Sequence, residues 1–155
     1  MNQKIPAPTW FTVVGILALL WNLLGVAAYL WMTWLMPKLI TPEALSAVPE
    51  AERAMLEVQL AMQAATPAWA TSAFALAVFG GLLGSIFLLM KKNLAILMFT
   101  VSLAALLVQN YYAYAIADAY GLLGNGAVIQ SAIVLLLGIF LLWVANKAKA
   151  QGWSN

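Results

Sequence analysis

The stretch LALLWNLLGVAAYLW, from Leu17 to Trp31, decides the fold class of this chain. It lies inside a charge-free run from Ile5 to Pro37, which exceeds the roughly 20 apolar residues that cross the hydrocarbon core of a bilayer. Such a run is helical in lipid, because every backbone polar group must find its partner within the segment. Asn22 interrupts the run with a primary amide. That amide needs a hydrogen-bond partner, since an unpaired amide is costly in hydrocarbon.

Three further charge-free runs follow the first one along the chain. They are Val58–Met90, Asn93–Ala117 and Ala119–Asn146, and each is long enough to cross a membrane. The chain is 65% hydrophobic and 8% charged, whereas a soluble domain has about 25% charged residues. The sequence therefore predicts an all-α membrane protein, with four transmembrane helices in a compact bundle.

The predicted transmembrane helices cover residues 10–36, 67–90, 93–117 and 127–146 of a single domain that spans residues 1–155. Pro37 is expected to end the first helix, because proline lacks an N–H group and its ring clashes with the preceding turn. The outer connection at 41–65 is predicted to be helical, since Thr41 followed by Pro42 is a typical helix start. Beyond Pro49, apolar residues recur at helical spacing. This outer amphipathic helix either covers the mouth of its own bundle or docks onto another protein.

Positive charges are distributed unequally between the two sides of the predicted bundle. One side carries Lys4, Lys91, Lys92, Lys147 and Lys149. The other side carries Lys38 and Arg53. Because lysine and arginine collect on the cytoplasmic side of membrane proteins, both termini are predicted to be cytoplasmic and the 41–65 connection to lie outside.

Small residues predict the faces on which the helices meet, because lipid provides no hydrophobic driving force between helices. Each predicted helix carries one stripe of small and polar residues at helical spacing. The residues expected to pack there include Gly15, Gly25, Gly80, Gly84, Ser131 and Gly138. Asn22 lies in the stripe of the first helix. Its amide is expected to bond to Gln109, Asn110 or Gln130, or to a backbone carbonyl.

Polar and aromatic residues concentrate in the outer half of the predicted bundle. They predict a recess that opens outward beneath the amphipathic helix, and amides with aromatic faces suit a neutral polyol or sugar. The residues predicted to bind such a ligand are Asn22, Tyr29, Gln109, Asn110, Tyr112, Tyr114 and Gln130. The same residue types also form interfacial belts and interhelical bonds. A purely structural role is therefore the alternative interpretation.

The residue types that carry most enzyme chemistry are missing from the sequence. There is no cysteine and no histidine, and no acid, lysine or arginine lies deep in the predicted spans. This argues against metal and haem sites, nucleophilic or acid–base catalysis, and ion-coupled transport. Asp118 stands at the outer boundary, where a helix cap is more common than a proton relay. We expect no enzyme activity, no cofactor and no nucleic-acid partner.

Four segments carry a resemblance that covers almost the whole chain: ALLWNLLGVAAYL, TPEALSAVPEAERA, TPAWATSAFALAVFGGLLG and AKAQGW. With them, the sequence resembles a widespread family of small bacterial four-helix inner-membrane proteins, mostly uncharacterised, of which some carry the label "sugar transporter". The resemblance implies a bacterial inner (cytoplasmic) membrane location and supplies no catalytic residues. The chain departs from the family in a longer connection around Val58–Ala64 and in the tyrosine-rich segment 109–120.

Two functions remain open at this point, and the lipid bilayer is the immediate partner in both. The first is to bind or pass a small neutral solute without ion coupling. Four short helices enclose little space, so a pore would need a homo-oligomer. The second is an accessory or assembly role in a larger membrane complex, with the outer amphipathic helix as a docking surface.

Overall fold

The computed structural model describes residues 6–155 and confirms the all-α membrane protein class. Four helices are long and apolar enough to cross a membrane: α1 (Thr9–Leu39), α4 (Ala68–Leu89), α5 (Leu94–Ile116) and α7 (Asn125–Ala150). Two helices, α2 (Pro42–Ser46) and α3 (Glu50–Ala65), connect α1 to α4, and the short α6 (Ala119–Leu123) connects α5 to α7. The chain is therefore a polytopic membrane protein.

The two ends of the bundle differ in composition, because successive spans alternate in direction. One end, here called the lysine-rich end, holds Lys91, Lys92, Lys147 and Lys149, while Lys4 lies outside the described residues. The other end, here called the tyrosine-rich end, holds α2, α3, α6 and Tyr111, Tyr112, Tyr114 and Tyr120.

The prediction that α1 ends before Pro37 is wrong, because the helix continues to Leu39. A π-helical turn at Trp31–Leu35 precedes the proline, and the Met36 N–H donates to the carbonyl of Trp31, five residues back. Such a widened turn adjusts the backbone just ahead of a ring that would otherwise clash with the preceding turn. The fourth span also exceeds its predicted limits of 127–146 at both ends.

The connection between α1 and α4 consists of two helices of unequal length. The Thr41 hydroxyl accepts a hydrogen bond from the Ala44 N–H at 3.3 Å and so caps α2. A hydrogen bond from its own backbone N–H, and a second one from Thr41, lower the pKa of the Glu43 carboxyl below its usual value. The Arg53 guanidinium of α3 donates to the carbonyls of Ser46 and Val48, at 2.9 and 3.1 Å. Arg53 therefore holds α2 and α3 together.

The central element of the bundle is α4. Of its most apolar 18 residues, 39% are buried, compared with 11% in each of the other three spans. Its buried positions are mostly small: Ala70, Ala73, Ala77, Gly80, Gly81, Gly84 and Ser85, with Leu88 as the exception. These positions let α5 approach from one side and α1 from the other. The Ser102 hydroxyl of α5 donates to the Ala77 carbonyl at 2.6 Å across this contact.

All four spans meet at the lysine-rich end. The buried cluster there consists of Phe11, Ala18, Leu88, Ala95, Phe99, Leu141, Val144, Ala145 and Ala148. Trp153, beyond α7, packs edge-to-face on Trp10 and Phe11 at centroid distances of 5.6 and 5.8 Å. The Asn155 N–H donates to the Lys91 carbonyl and thus ties the C-terminus to the α4–α5 turn. This half of the bundle is closed.

The tyrosine-rich half is more open than the compact bundle predicted from the sequence. Both α1 and α7 contribute to the buried cluster, but farther along they separate around a cleft of about 270 Å³. Trp21 of α1 lines one side of this cleft and Ile133 of α7 lines the other. The separation follows from the packing order, because α1 packs on α4 whereas α7 packs on α5.

Replacing Gly84 with alanine is expected to lower the free energy of unfolding by about 1–3 kcal/mol through overpacking. The added Cβ would lie 2.6 Å from Cδ1 of Phe99, a ring buried in the closed half. Gly126→Ala is the matched control, because no heavy atom lies within 4 Å of its new Cβ and alanine favours a helix. Thermal unfolding in the same lipid nanodiscs compares the two variants. Equal melting temperatures would contradict close α4–α5 packing at this position.

Candidate functional site

The separation of the helices leaves a cavity of about 540 Å³ in the tyrosine-rich half. All four spans line it, and α3 contributes Gln59, Met62 and Gln63 from above. Phe99 and Leu141, both members of the buried cluster, line its deep end. The cavity is thus closed toward the lysine-rich end and covered by α3 at the opposite end.

Most of the residues predicted to bind a ligand lie around this cavity. Its lining includes Asn22, Gln109, Asn110, Tyr112, Tyr114 and Gln130. Tyr29 is the exception. Its ring packs edge-to-face against Phe74 and Phe79 of α4, at centroid distances of 5.2 and 5.9 Å. Because the aromatic side chains of α4 hold the Tyr29 ring against that helix, Tyr29 contributes to packing and is not among the cavity-lining residues.

The predicted packing residues meet side chains of neighbouring helices. A Cβ at Gly15 would clash with Leu89, and one at Gly80 would lie 3.2 Å from the Cβ of Ser102. The remaining three glycines make the following contacts: Gly25 faces Val78, Gly84 faces Phe99, and Gly138 faces Leu103. Gly25, Ser131 and Gly138 also line the cavity, so the positions predicted for helix packing form part of the cavity wall.

Asn22 forms its interhelical hydrogen bond with a residue that the sequence analysis did not single out. Its Nδ2 donates to the Ala18 carbonyl at 2.8 Å and to the Ser85 hydroxyl of α4 at 3.1 Å. Ser85 in turn donates to the Gly81 carbonyl at 2.9 Å. The expected partners on α5 and α7 were wrong, because α1 packs on α4 and the amide meets that helix first. A serine at the edge of the Gly80–Gly84 motif was the available signal.

The oxygen of the Asn22 amide lies against Gly81 of α4, beside the cavity. Since the Ala18 carbonyl can only accept, the amide nitrogen must point toward α1's own backbone. The oxygen then lies over Gly81, where a Cβ would collide with it and would also lie 3.3 Å from Oγ of Ser102. Asn22, Gly81 and Ser102 all line the cavity. Glycine at position 81 therefore leaves room for the amide oxygen within the span, at the wall of the cavity.

Four glutamine side chains line the upper part of the cavity: Gln59 and Gln63 of α3, Gln109 of α5 and Gln130 of α7. None of their amides forms a hydrogen bond with another residue in the described range 6–155. The two on α3 were missed, because on a helical wheel they simply mark the polar face of an amphipathic helix. Their spacing of four residues, just ahead of the second span, was the signal that they point down together.

The tyrosines and Asn110 around the cavity already have partners. The Tyr114 hydroxyl donates to the Ala127 carbonyl at 2.8 Å, and the Ser131 hydroxyl lies 2.7 Å from it as a donor. Asn110 Nδ2 donates to the carbonyl of Leu106 in its own helix at 2.8 Å. Tyr112 donates to the Ala65 carbonyl at 3.4 Å and so ties α5 to the end of α3. These groups form the frame of the cavity rather than its free hydrogen-bonding capacity.

At the tyrosine-rich end, α5 changes helical form next to the cavity. Tyr112–Ile116 forms a π-helical turn, which rotates the following residues relative to a regular α-helix. Asp118 has a φ of +47° and accepts a hydrogen bond from the Gly121 N–H at 3.2 Å. It therefore caps α6, in agreement with the interpretation of this aspartate as a helix cap.

The cavity is electrically neutral along its described lining. No aspartate, glutamate, lysine or arginine is among those residues, and most of the wall is apolar. Within residues 6–155, no three acidic side chains come together as a potential metal site. An ionic ligand would be left without a counter-charge in this environment, at a high desolvation cost. The chemistry of the wall therefore favours a neutral ligand.

Asn22→Ala and Ser85→Ala each remove the same interhelical hydrogen bond. Their effects on the free energy of unfolding are therefore expected to be non-additive, with a coupling energy of about 0.6–2 kcal/mol. Asn146 provides the control, since its Nδ2 donates only along its own helix, to the Leu142 carbonyl. Asn146→Ala and Ser85→Ala should therefore be additive. Equilibrium unfolding in detergent of each single and double variant measures both cycles. Additivity in the Asn22 cycle would contradict the Asn22–Ser85 bond.

Comparisons with protein-family models, with curated proteins and with solved structures find no match to this chain. The function proposed below is therefore inferred from the side chains that line the cavity and from their positions along the spans.

Proposed function

We propose that this protein binds a small neutral solute with several hydroxyl groups, such as a sugar or polyol, without ion coupling and without catalysis. The observation that carries this proposal is the set of four uncommitted glutamine amides around one uncharged cavity. Each amide offers one oxygen acceptor and two N–H donors. Hydroxyl groups donate and accept as well, so they match this set, whereas an ion would find no opposite charge.

The size and layering of the cavity support the same ligand class. A volume of about 540 Å³ lies within the range of small-molecule sites, about 300–1,000 Å³. Gln59 and Gln63 face the ligand from α3, and Gln109 and Gln130 face it from the sides. The Asn22 oxygen offers one acceptor farther down. Polar groups at several heights would fix the orientation of a bound solute.

Binding is supported better than passage in the present conformation. Phe99 and Leu141 close the deep end, and the buried cluster continues below them. A solute could leave toward the lysine-rich end only if these packed side chains separated. Passage would therefore require a rearranged bundle or, as expected from the sequence, a homo-oligomer with a shared pore.

We propose further that the lysine-rich end is cytoplasmic and that the protein resides in a bacterial inner membrane. The positive-inside rule supports this orientation, and the resemblance to small bacterial inner-membrane proteins supports the membrane. The cavity then faces the outside, with α3 above it. A solute would reach it without first crossing the membrane.

Single cysteines test this orientation, because the natural chain contains none. Lys92→Cys at the lysine-rich end is expected to resist a membrane-impermeant maleimide in intact bacterial cells and to react after the cells are lysed. Glu57→Cys on the exposed face of α3 should react in intact cells. Gel shifts with a maleimide-coupled polymer report both reactions. The reverse pattern would place the cavity on the cytoplasmic side.

An accessory role in a larger membrane complex is the second candidate function. It is favoured by α3, which buries none of its residues and leaves Met55 61% exposed. Arg53 is unsuitable as a docking residue, because its guanidinium binds the carbonyls of Ser46 and Val48. A partner would instead contact the exposed face around Met55 and Glu57.

Gln109→Leu is expected to weaken binding of a neutral solute by about three- to tenfold, the value of one hydrogen bond. Gln151→Leu is the matched control, because that exposed glutamine lies at the lysine-rich end, away from the cavity. Equilibrium binding of radiolabelled glycerol, glucose and methyl glucoside to the protein in nanodiscs provides the measurement.

Equal effects of the two substitutions would contradict a ligand at the glutamines. If none of the probes binds, and gently extracted protein is recovered with stoichiometric partner chains, the accessory role replaces solute binding.

A further inference from the structure

We propose that the natural ligand is a neutral amphiphile, with a hydroxylated head and a hydrocarbon tail, which enters the cavity sideways from the bilayer between α1 and α7. This inference rests on the proposed binding function and narrows its ligand class. A neutral glycolipid has this chemistry. A free sugar shares the hydroxylated head but lacks the tail.

The lateral route is the cleft between α1 and α7. Its lining consists of Trp21, Gly126, Ile129, Gln130, Ile133 and Val134. Three of these residues, Trp21, Gln130 and Val134, also line the main cavity, so the two spaces are adjacent there. Trp21 is 43% exposed and Ile133 is 47% exposed, although both lie within membrane spans. The cleft therefore opens toward hydrocarbon.

The polarity of the cavity changes with depth. The uncommitted glutamine amides lie toward the tyrosine-rich end, where Tyr112 and α3 frame the opening. Deeper down, Leu103, Leu137 and Leu141 form much of the wall, and Asn22 and Ser102 are the polar residues among them. A free sugar in this lower part would bury hydroxyl groups against apolar side chains, which is unfavourable. A hydrocarbon tail would instead match the lower wall, while its head reaches the glutamines.

The absence of charge along the described lining separates the proposed ligand from the common phospholipids. A phosphate group in the upper cavity would meet amides and hydroxyls but no lysine or arginine. Its charge would be desolvated without a counter-ion. A hydroxylated neutral head avoids this cost and still forms hydrogen bonds with the amides.

The cleft lies in one half of the bundle, where Trp21 of α1 and Ile133 of α7 line it. At the lysine-rich end, the buried cluster that includes Phe11 and Val144 holds α1 and α7 together. The opening is therefore confined to the half of the bundle in which the glutamines lie.

The test uses the full chain in phospholipid nanodiscs and two probes with the same head, a medium-chain alkyl glucoside and methyl glucoside. Native mass spectrometry counts the protein molecules that retain each probe. At equal added amounts, we expect the alkyl glucoside to be retained at least about tenfold more, because each buried methylene adds to binding.

A matched pair of substitutions locates the entry route. Ile133→Trp narrows the cleft and should lower retention of the alkyl glucoside by at least about tenfold. Ile139→Trp makes the same change on the same helix at a residue that is 54% exposed and lines neither space, so retention should not change. Ile129→Trp provides a second narrowing variant, and thermal unfolding verifies that each variant is folded.

Several results would overturn the inference. Equal retention of both probes would reject the tail while leaving the proposed solute-binding function intact. Retention of neither probe would reject both proposals. Strong retention of the alkyl glucoside that is unchanged by Ile133→Trp and Ile129→Trp would reject the lateral route. The lateral route would also be rejected if the cleft contains a phospholipid or a second copy of the chain, and if Ile133→Trp and Ile129→Trp displace that occupant.

Discussion

The close approach that α4 allows to its neighbours determines the rest of this structure. In lipid, apolar side chains gain nothing by leaving the solvent for a neighbouring helix, so contact surface and hydrogen bonds hold the bundle. Small residues on α4, such as Gly80 and Gly84, let α5 pack against its backbone, and Gly81 makes room for the Asn22 amide of α1. Because α1 packs on α4 whereas α7 packs on α5, a cleft is left between α1 and α7 in the tyrosine-rich half.

The cavity follows from this arrangement. Large side chains such as Phe11, Leu88 and Val144 fill the space between all four spans at the lysine-rich end. No comparable buried cluster of large side chains is found among the described residues of the other half, where α3 covers the space instead. Hydrogen bonds of Tyr114 to α7 and of Tyr112 to the end of α3 keep the walls in place. Under the proposed function, these hydrogen-bonded tyrosines would hold the cavity in shape before a ligand arrives, around glutamines that have no partner within residues 6–155.

Much of this fold was readable from the sequence, because membrane spans and small-residue stripes depend on local composition. The four apolar runs predicted the spans, and the Gly80–Gly84 motif marked a packing face that is buried in the structure. Ser85 was visible beside the Gly80–Gly84 motif, but its pairing with Asn22 was not readable. It depends on which helix packs beside α1, and the stripes of different helices carry no information about their pairing.

The two π-helical turns illustrate the same limit. Pro37 predicts a local disturbance of the helix. Whether the helix ends there or forms a wider, π-helical turn depends on the structure around it. At Tyr112–Ile116 no proline or glycine marks the turn. For the site, the polar cluster of α5 was visible, whereas Gln59 and Gln63 belong to it only because α3 folds back over the bundle. The misplaced Tyr29 has the corresponding cause, since Phe74 and Phe79 hold its ring against α4.

Under the proposed function, Asn22 would combine a structural role with a functional one in a membrane interior. Its amide has two ends with different capacities, N–H donors and a carbonyl acceptor. The donors bind Ala18 and Ser85 and so fix the register of α1 on α4, while the acceptor lies against Gly81, beside the cavity. A hydroxyl-bearing side chain at this position could direct one proton toward α4, but it would offer the cavity no carbonyl group. A charged side chain would raise the desolvation cost and destroy the neutrality of the wall. A primary amide near mid-membrane is therefore the residue type that can hold two helices together and still present an uncharged acceptor to a ligand.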